Sequence, residues 1–375
     1  MANRKLLIVT NVDWFLISHR LVIAKAAVKT GWKVYVACED TGRGNEIAVD
    51  GIDFIPLSIS RSGVNPLEEY RTYRSFVKLY KRVKPDVVHQ ITIKPVVYGG
   101  LAAKVTRVPG VVNAISGLGY MFTGNRLGIV QKIILRMMKN GFNRSKVAVI
   151  FQNQEDKMVL EQSHILTANT MVHLIKGSGI DLGIFNYSTL PPLDRIKILL
   201  PSRMLWDKGI RELKEASDTL KDKYKNKIQF LLVGMADNNN KAGVPEEYLR
   251  EWEDGDYVVW KGHQSNILDY YQQSHIVVLP SYREGLPKTL IEACAVGRPI
   301  VTTDAIGCKD CVDEGINGFK VEVGNSSALA DAIEKMILNP DMIQTMGKAG
   351  RKKAELEFDI NDVINKHLEI YQSLL

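Results

Sequence analysis

Along the first half of the chain, short apolar runs alternate with longer segments whose apolar residues recur at helical spacing. Lys5–Thr10 and Lys33–Cys38 are runs of the first kind, and the amphipathic segment Ser18–Thr30 joins them. Asp86-Val-Val-His89 and Gly110-Val-Val-Asn113 follow, each leading into a polar or glycine-rich loop. Short apolar runs that take turns with helical patterns predict a parallel, doubly wound sheet. The pattern resumes downstream. Ile196–Leu200, Ile228–Val233, Val258–Trp260 and His275–Leu279 read as strands that end in turns rich in Gly, Pro or polar residues. A helical pattern closes the chain over 359–375.

Between the two early pairs of strands, Asn65-Pro66-Leu67-Glu68 is a helix start. Asn sits at the N-cap, Pro presets the first helical φ, and Glu stands three residues after the cap. On that helix Tyr70, Tyr73, Val77 and Tyr80 share one face, with Arg71, Arg74, Lys78 and Lys81 beside them. The spacing predicts a core face next to a solvated basic face; a basic stripe facing a membrane is the other reading.

A length of 375 residues, 45% of them hydrophobic, suits two domains with sizeable cores. The Pro-containing stretch Tyr187–Arg195 reads as the connector. The expected division is 1–185, 186–358, and a terminal helix over 359–375.

The densest chemistry lies in Arg283-Glu-Gly-Leu-Pro-Lys-Thr-Leu-Ile-Glu292. Glu284 and Glu292 stand eight residues apart across the Gly285-Leu286-Pro287 turn, and Lys288, Thr289 and Leu290 open a helix behind it. A strand that feeds a turn and a helix N-terminus is where open α/β sheets bind ligands, and the helix end favours an anion. With a carboxylate at either end of the turn, the local chemistry suits a diphosphate flanked by hydroxyl-bearing groups, which describes a nucleotide sugar. Arg203 and Lys208 stand five residues apart at another strand-to-helix turn, a planar fork and a point charge able to clamp a diphosphate. The turns at Gly234 and His263 end two further strands.

Charge is uneven. Residues 1–190 hold 25 Lys and Arg against 13 Asp and Glu, a net of +12, whereas the remainder is net −5. The basic half should face something anionic. Arg126–Lys146 combines Ile129, Ile133, Ile134, Met137 and Met138 with six cations, the make-up of a surface-lying helix. No zinc-finger spacing, helix-turn-helix or RNA-binding aromatic motif accompanies the charge, so nucleic acid is not the expected partner. Four scattered cysteines favour a reducing compartment, and Cys308-Lys-Asp-Cys311 lacks a second pair to complete a metal site. The start of the chain does not read as a signal peptide. Val108–Asn125 carries too many glycines and a proline for a transmembrane helix.

The Arg283–Glu292 element resembles the Glu-x7-Glu signature of glycosyltransferase family 4, a large retaining family with the GT-B fold. Arg203-x4-Lys208-Gly209, the stretch through Gly297 and Pro299, and Gly315-Ile-Asn317-Gly318 resemble that family as well. So does Lys176–Phe185, a hinge with Ser178 in place of the usual Asn. His89-Gln-Ile-Thr92-Ile-Lys94 and Ser116-Gly117-Leu118-Gly119-Tyr120 resemble its capsular and N-glycan branch, which works on lipid-linked acceptors. The first loop, Asn11–Arg20, departs from many members because the phosphate-contacting Gly-Gly pair is missing.

The resemblance implies two Rossmann-like domains facing across a cleft, with the last helix crossing back to the first. It implies retaining, metal-independent transfer without a cofactor. The sugar, an N-acetylhexosamine or hexose, passes from a UDP-sugar to a polyprenyl-diphosphate-linked glycan. Glu284, Arg203, Lys208 and His89 would be catalytic, with a structural role the other reading of His89, a lone histidine after a strand. Glu292, Gly285, Leu286, Pro287, Lys288, Thr289, Leu290, Gly234 and His263 would bind the donor. Ser18, His19, Arg20, Lys94, Gly117 and Gly119 would take the acceptor, with His89 and Lys94 projecting into the cleft. The expected location is cytoplasmic, on the inner face of the membrane. A nucleotide-sugar epimerase of the same architecture and a non-catalytic nucleic-acid-binding α/β protein are the alternatives.

Overall fold

Thirteen strands form two sheets in the computed structural model, which describes residues 4–59, 65–118, 128–237, 240 and 242–375. The chain divides into two compact units, Met1–Ser178 with Asn361–Leu375, and Gly179–Ile360.

The first unit holds β1 (Lys5–Val12), β2 (Lys33–Glu39), β3 (Ile52–Pro56), β4 (Val87–Ile91), β5 (Gly110–Ile115), β6 (Val147–Phe151) and β7 (Thr170–Leu174). Their order is β3-β2-β1-β4-β5-β6-β7, and every pairing is parallel. In the second unit, β8 (Ile196–Pro201), β9 (Ile228–Val233), β10 (Val258–Trp260), β11 (Ile276–Leu279), β12 (Ile300–Thr303) and β13 (Gly318–Val321) run in the order β10-β9-β8-β11-β12-β13. Each order reverses once, beside β1 and beside β8, which marks the two switch points where doubly wound sheets bind ligands. Helices cover both faces, so alternate residues of one strand enter different cores. Leu6 and Ile8 join one apolar cluster, while Leu7 and Val9 join another. That double burial is why the strands read as unbroken apolar runs.

Two helical expectations shift. The Ser18–Thr30 pattern is broken into helices Asp13–His19 and Leu21–Lys29, with Arg20 at φ −138° between them and almost wholly buried. The helix Pro66–Val83 starts as its cap predicts, with the Asn65 side chain accepting from the Leu67 N–H at 3.0 Å. Its core face, however, is Thr72, Phe76, Leu79, Tyr80 and Val83. Of the tyrosine row only Tyr80 is buried; Tyr70 is 56% exposed. Phe76 and Leu79 offer purely apolar surface, and they rather than Tyr70 and Tyr73 win the interior.

The terminal helix, Ile360–Ser373, belongs to the first unit, where Val363, Ile370, Tyr371 and Leu374 complete a core with Leu6, Val87 and Val112. Its His367 is fully buried, with Nδ1 2.7 Å from the Val363 carbonyl oxygen. Burial, and then the Arg20 guanidinium, push His367 down to about 3 from 6.5. The folded state keeps it neutral, while an unfolded chain binds a proton below its ordinary value. Stability is therefore complete above about pH 6.5 and is lost as pH falls towards 3. The slope is about 1.4 kcal/mol per pH unit for one such histidine. Denaturant midpoints at pH 7 and pH 5 should differ in this sense, and His367→Phe should reduce the difference.

Candidate active site

The carboxyl ends of β8, β9, β11 and β12 bring the predicted residues of the second unit together. After β8 the chain passes Arg203 and makes a tight helical turn at Trp206–Lys208 before Gly209. Gly209 has φ +76°, and a Cβ there would lie 2.1 Å from the Pro280 carbonyl oxygen, so only glycine lets this turn press on the end of β11. Two hydrogen bonds lock the approach. The Tyr282 N–H donates to the Asp207 carbonyl at 2.9 Å, and the Ser281 hydroxyl donates to the same oxygen at 3.0 Å.

This contact delivers Lys208 to Glu284. The Lys208 ammonium donates to Glu284 Oε1, and the Ser281 hydroxyl also reaches that oxygen, at 2.9 Å. Both side chains are mostly buried, 14% and 16% exposed. Burial alone would lower the Lys208 ammonium. The Glu284 charge and hydrogen bond outweigh it, and Lys208 ends above its ordinary value and fully charged. Arg203 is near enough to act on Lys208 through its charge, and lies 3.5 Å from the Asp237 carboxylate with almost half its side chain exposed.

Glu284 is held from below by the turn after β12. Its N–H donates to the Ile306 carbonyl at 2.9 Å. Gly307, at φ +82°, lies so close that a Cβ would meet the Glu284 carbonyl oxygen at 2.5 Å. Leu286 is buried and anchors the turn, and Pro287 opens the helix Lys288–Val296, whose N-terminus has no side-chain cap. Every residue from Leu290 to Val296 is buried, so the helix is fixed with its positive end at the turn.

Glu292 lies on the buried side of this helix, 6% exposed. Its Oε2 accepts from the Tyr271 hydroxyl at 2.9 Å, and its Oε1 is 3.6 Å from the Lys288 ammonium. Burial raises the Glu292 carboxyl above its ordinary value despite both partners. The Gly234 N–H donates to the Gly262 carbonyl at 2.8 Å, and the Trp260 indole donates to the Gly234 carbonyl at 2.9 Å, which ties the ends of β9 and β10 together beside the exposed His263. Cys308 and Cys311 are buried free thiols, Cys308 pushed up to about 12 by burial.

Sequence reasoning passed over Ser281 and Tyr271. Ser281 lies in the turn that ends β11 and is recoverable from the run itself. Tyr271 reaches Glu292 from 21 residues upstream, and no local pattern signals that.

In the first unit the predicted residues do not gather. His89 is a correction: it does not project outwards but is wholly buried, with Nδ1 2.7 Å from the Tyr371 hydroxyl and its ring against His367. A fully buried strand leaves no exposed side for it, and the terminal helix covers that face. Lys94 is held by Glu69 at 2.6 Å. Ser18 and His19 lie together, with His19 stacked on Phe15 at 4.4 Å, but Arg20 turns into the interior, away from the exposed Ser18. Gly117 adopts φ +109° in the turn after β5, and Gly119 lies outside the described residues. The ends of β1, β4 and β5 show another feature. Thr10 Oγ1, Asn11 Oδ1, Thr92 Oγ1 and Ser116 Oγ are shielded from solvent without a hydrogen-bond partner, and Thr92 holds φ +73°. Shielded polar atoms and a strained non-glycine residue thus gather at the switch point, where doubly wound sheets bind ligands.

Residues 187–353 match the family described as "Glycosyl transferases group 1", and residues 5–153 match "Glycosyl transferase 4-like". The chain is 26% identical over 370 residues, 95% of each chain, to N,N'-diacetylbacillosaminyl-diphospho-undecaprenol alpha-1,3-N-acetylgalactosaminyltransferase of Campylobacter jejuni. It is 22% identical to UDP-Gal:alpha-D-GlcNAc-diphosphoundecaprenol alpha-1,3-galactosyltransferase of Escherichia coli, over 90% of this chain and 88% of the relative. In fold it is similar to sucrose-phosphate synthase of Thermosynechococcus elongatus, with a TM-score of 0.80, 19% identity and 99% of both chains covered. With both halves matched and both sheets doubly wound, the chain belongs to glycosyltransferase family 4 and is a glycosyltransferase of the GT-B fold.

Proposed function

We propose that the protein transfers an N-acetylhexosamine or hexose from a UDP-sugar to a polyprenyl-diphosphate-linked glycan, with retention at the anomeric carbon and without a metal ion. The observation that carries this reading is the Lys208–Glu284 pair beside an uncapped helix N-terminus. An ammonium has three N–H donors and Glu284 takes one, which leaves two for phosphate oxygens. As the sugar–phosphate bond breaks, an oxocarbenium-like carbon forms and negative charge collects on the leaving diphosphate. Lys208, Arg203 and the backbone N–H groups at Lys288 and Thr289 stabilise that charge, Lys208 from a mostly buried position held by Glu284. Glu284 orients the sugar hydroxyls. Glu292, held by the Tyr271 hydroxyl on Oε2 and by the Lys288 ammonium near Oε1, accepts from the ribose hydroxyls. Attack from the same face gives retention.

The acceptor falls to the first unit, whose carboxyl edge holds Thr10, Asn11, Thr92 and Ser116. The two relatives named above act on diphospho-undecaprenol-linked sugars. Among the described residues no helix is long and apolar enough to cross a membrane. The helix Ile129–Phe142 carries three cations and no acid beside the exposed Ile129, Val130 and Ile133, which suits peripheral binding to an anionic inner membrane face. The experiment is transfer from a panel of UDP-sugars in EDTA. Undiminished transfer is the expected result. Activity abolished by EDTA and restored by magnesium or manganese would overturn the metal-free reading.

A further inference from the structure

Three helices lie side by side on one face of the first sheet: Pro66–Val83, Gly100–Thr106 and Ile129–Phe142. The middle one continues without a break from a π-helical turn over Pro95–Gly99, so its helical backbone runs from Pro95 to Thr106. Among the three lies a trough with a volume of about 670 Å³. Tyr70, Tyr73, Tyr98, Leu101, Val105 and Met137 line it. Glu69 Oε1 is held by Lys94 and Lys104 by Asn140, both at 2.6 Å, while Glu69 Oε2 is shielded without a hydrogen-bond partner. Apart from this carboxylate an occupant meets mostly apolar surface.

The apolar lining continues onto the surface. Ile129, Ile133 and Met137 follow one another at i, i+4 spacing and lead into the trough, and Ile129, Ile133, Val105 and Tyr70 are 78%, 53%, 62% and 56% exposed. Exposed cations, Arg71, Arg74, Lys132 and Arg136, stand on the two flanking helices. An apolar slot in a cationic field fits a hydrocarbon chain attached to an anionic head. A protein partner fits less well: nine residues line the trough, while a stable interface takes about 20–30 on each side.

We propose that this trough seats the isoprenoid chain of the lipid-linked acceptor. The assignment rests on the acceptor class proposed above and adds a chain-binding subsite to it. The test uses sugar diphosphates carrying either a single isoprene unit or a chain long enough to fill the trough, without vesicles. Wild-type KM should fall about tenfold or more with the longer chain, as burial of a few methylene groups requires. Val105→Asp and Tyr70→Ala, both at exposed positions, should lose that gain and leave the short acceptor unchanged. A KM blind to chain length, or variants that keep the full gain, would overturn the proposal. So would Val105→Asp weakening only vesicle binding, since the patch would then merely touch the bilayer. Titration with a polyprenyl monophosphate separates the two readings. If no acceptor is glycosylated but the phosphate binds and Val105→Asp weakens it about tenfold, the transfer reading fails and the trough stands. If it binds no better than a short-chain phosphate, the trough fails.

Discussion

Replacing Lys208 with Ala is expected to lower turnover by about two to three orders of magnitude, the loss typical when a fixed donor to a developing anion is removed. The ammonium is mostly buried, held charged by Glu284, and pinned by a turn that only Gly209 allows, so water cannot substitute for it in place. The same change strands the Glu284 carboxylate, which keeps the Ser281 hydroxyl as a partner. Part of the loss is then a repulsion between Glu284 and the diphosphate, and it should show in donor affinity as well as in turnover. Lys208→Ala combined with Glu284→Gln separates the contributions. If the pair acts as a unit, the double variant is less impaired than the product of the single effects. Full turnover in Lys208→Ala would remove the residue from the chemistry.

Much of the fold is legible in the chain because both sheets are buried on both faces. Runs such as Leu6–Val9 and Ile276–Leu279 have no polar alternation to obscure them. The Asn65 cap is equally plain, since its hydrogen bond closes within two residues. Misreadings arise where a distant segment decides. The amphipathic period over Ser18–Thr30 is genuine, yet Arg20 breaks it and turns inward. On the Pro66–Val83 helix, the interior goes to Phe76, Leu79 and Tyr80 rather than to Tyr70 and Tyr73. Neighbouring faces of one helix look alike until the partner surface is known.

The active site divides the same way. The turns bearing Arg203, Lys208 and Glu284 are local and have recognisable chemistry. Their pairing across β8 and β11 depends on Gly209 reaching Pro280, which spacing does not reveal. His89, a lone histidine after a strand, reads from the sequence as either structural or catalytic. Its partner is Tyr371, 282 residues away on the terminal helix, and that contact makes it interior.

The central claim is that the Arg283–Glu292 turn holds a nucleotide sugar, with one glutamate on the sugar and the other on the ribose. Calorimetric affinity for UDP, measured beside turnover with the donor for Glu284→Gln and Glu292→Gln, tests it most directly. Glu284 touches the part that reacts, so its loss should lower turnover by roughly ten- to a hundredfold and leave UDP affinity nearly intact, since a hydrogen bond to a charged group is worth about 1.5–3 kcal/mol. Glu292 touches a part that does not react, and its loss should weaken UDP and donor alike. UDP affinity unchanged in Glu292→Gln, or full turnover in Glu284→Gln, would contradict the account.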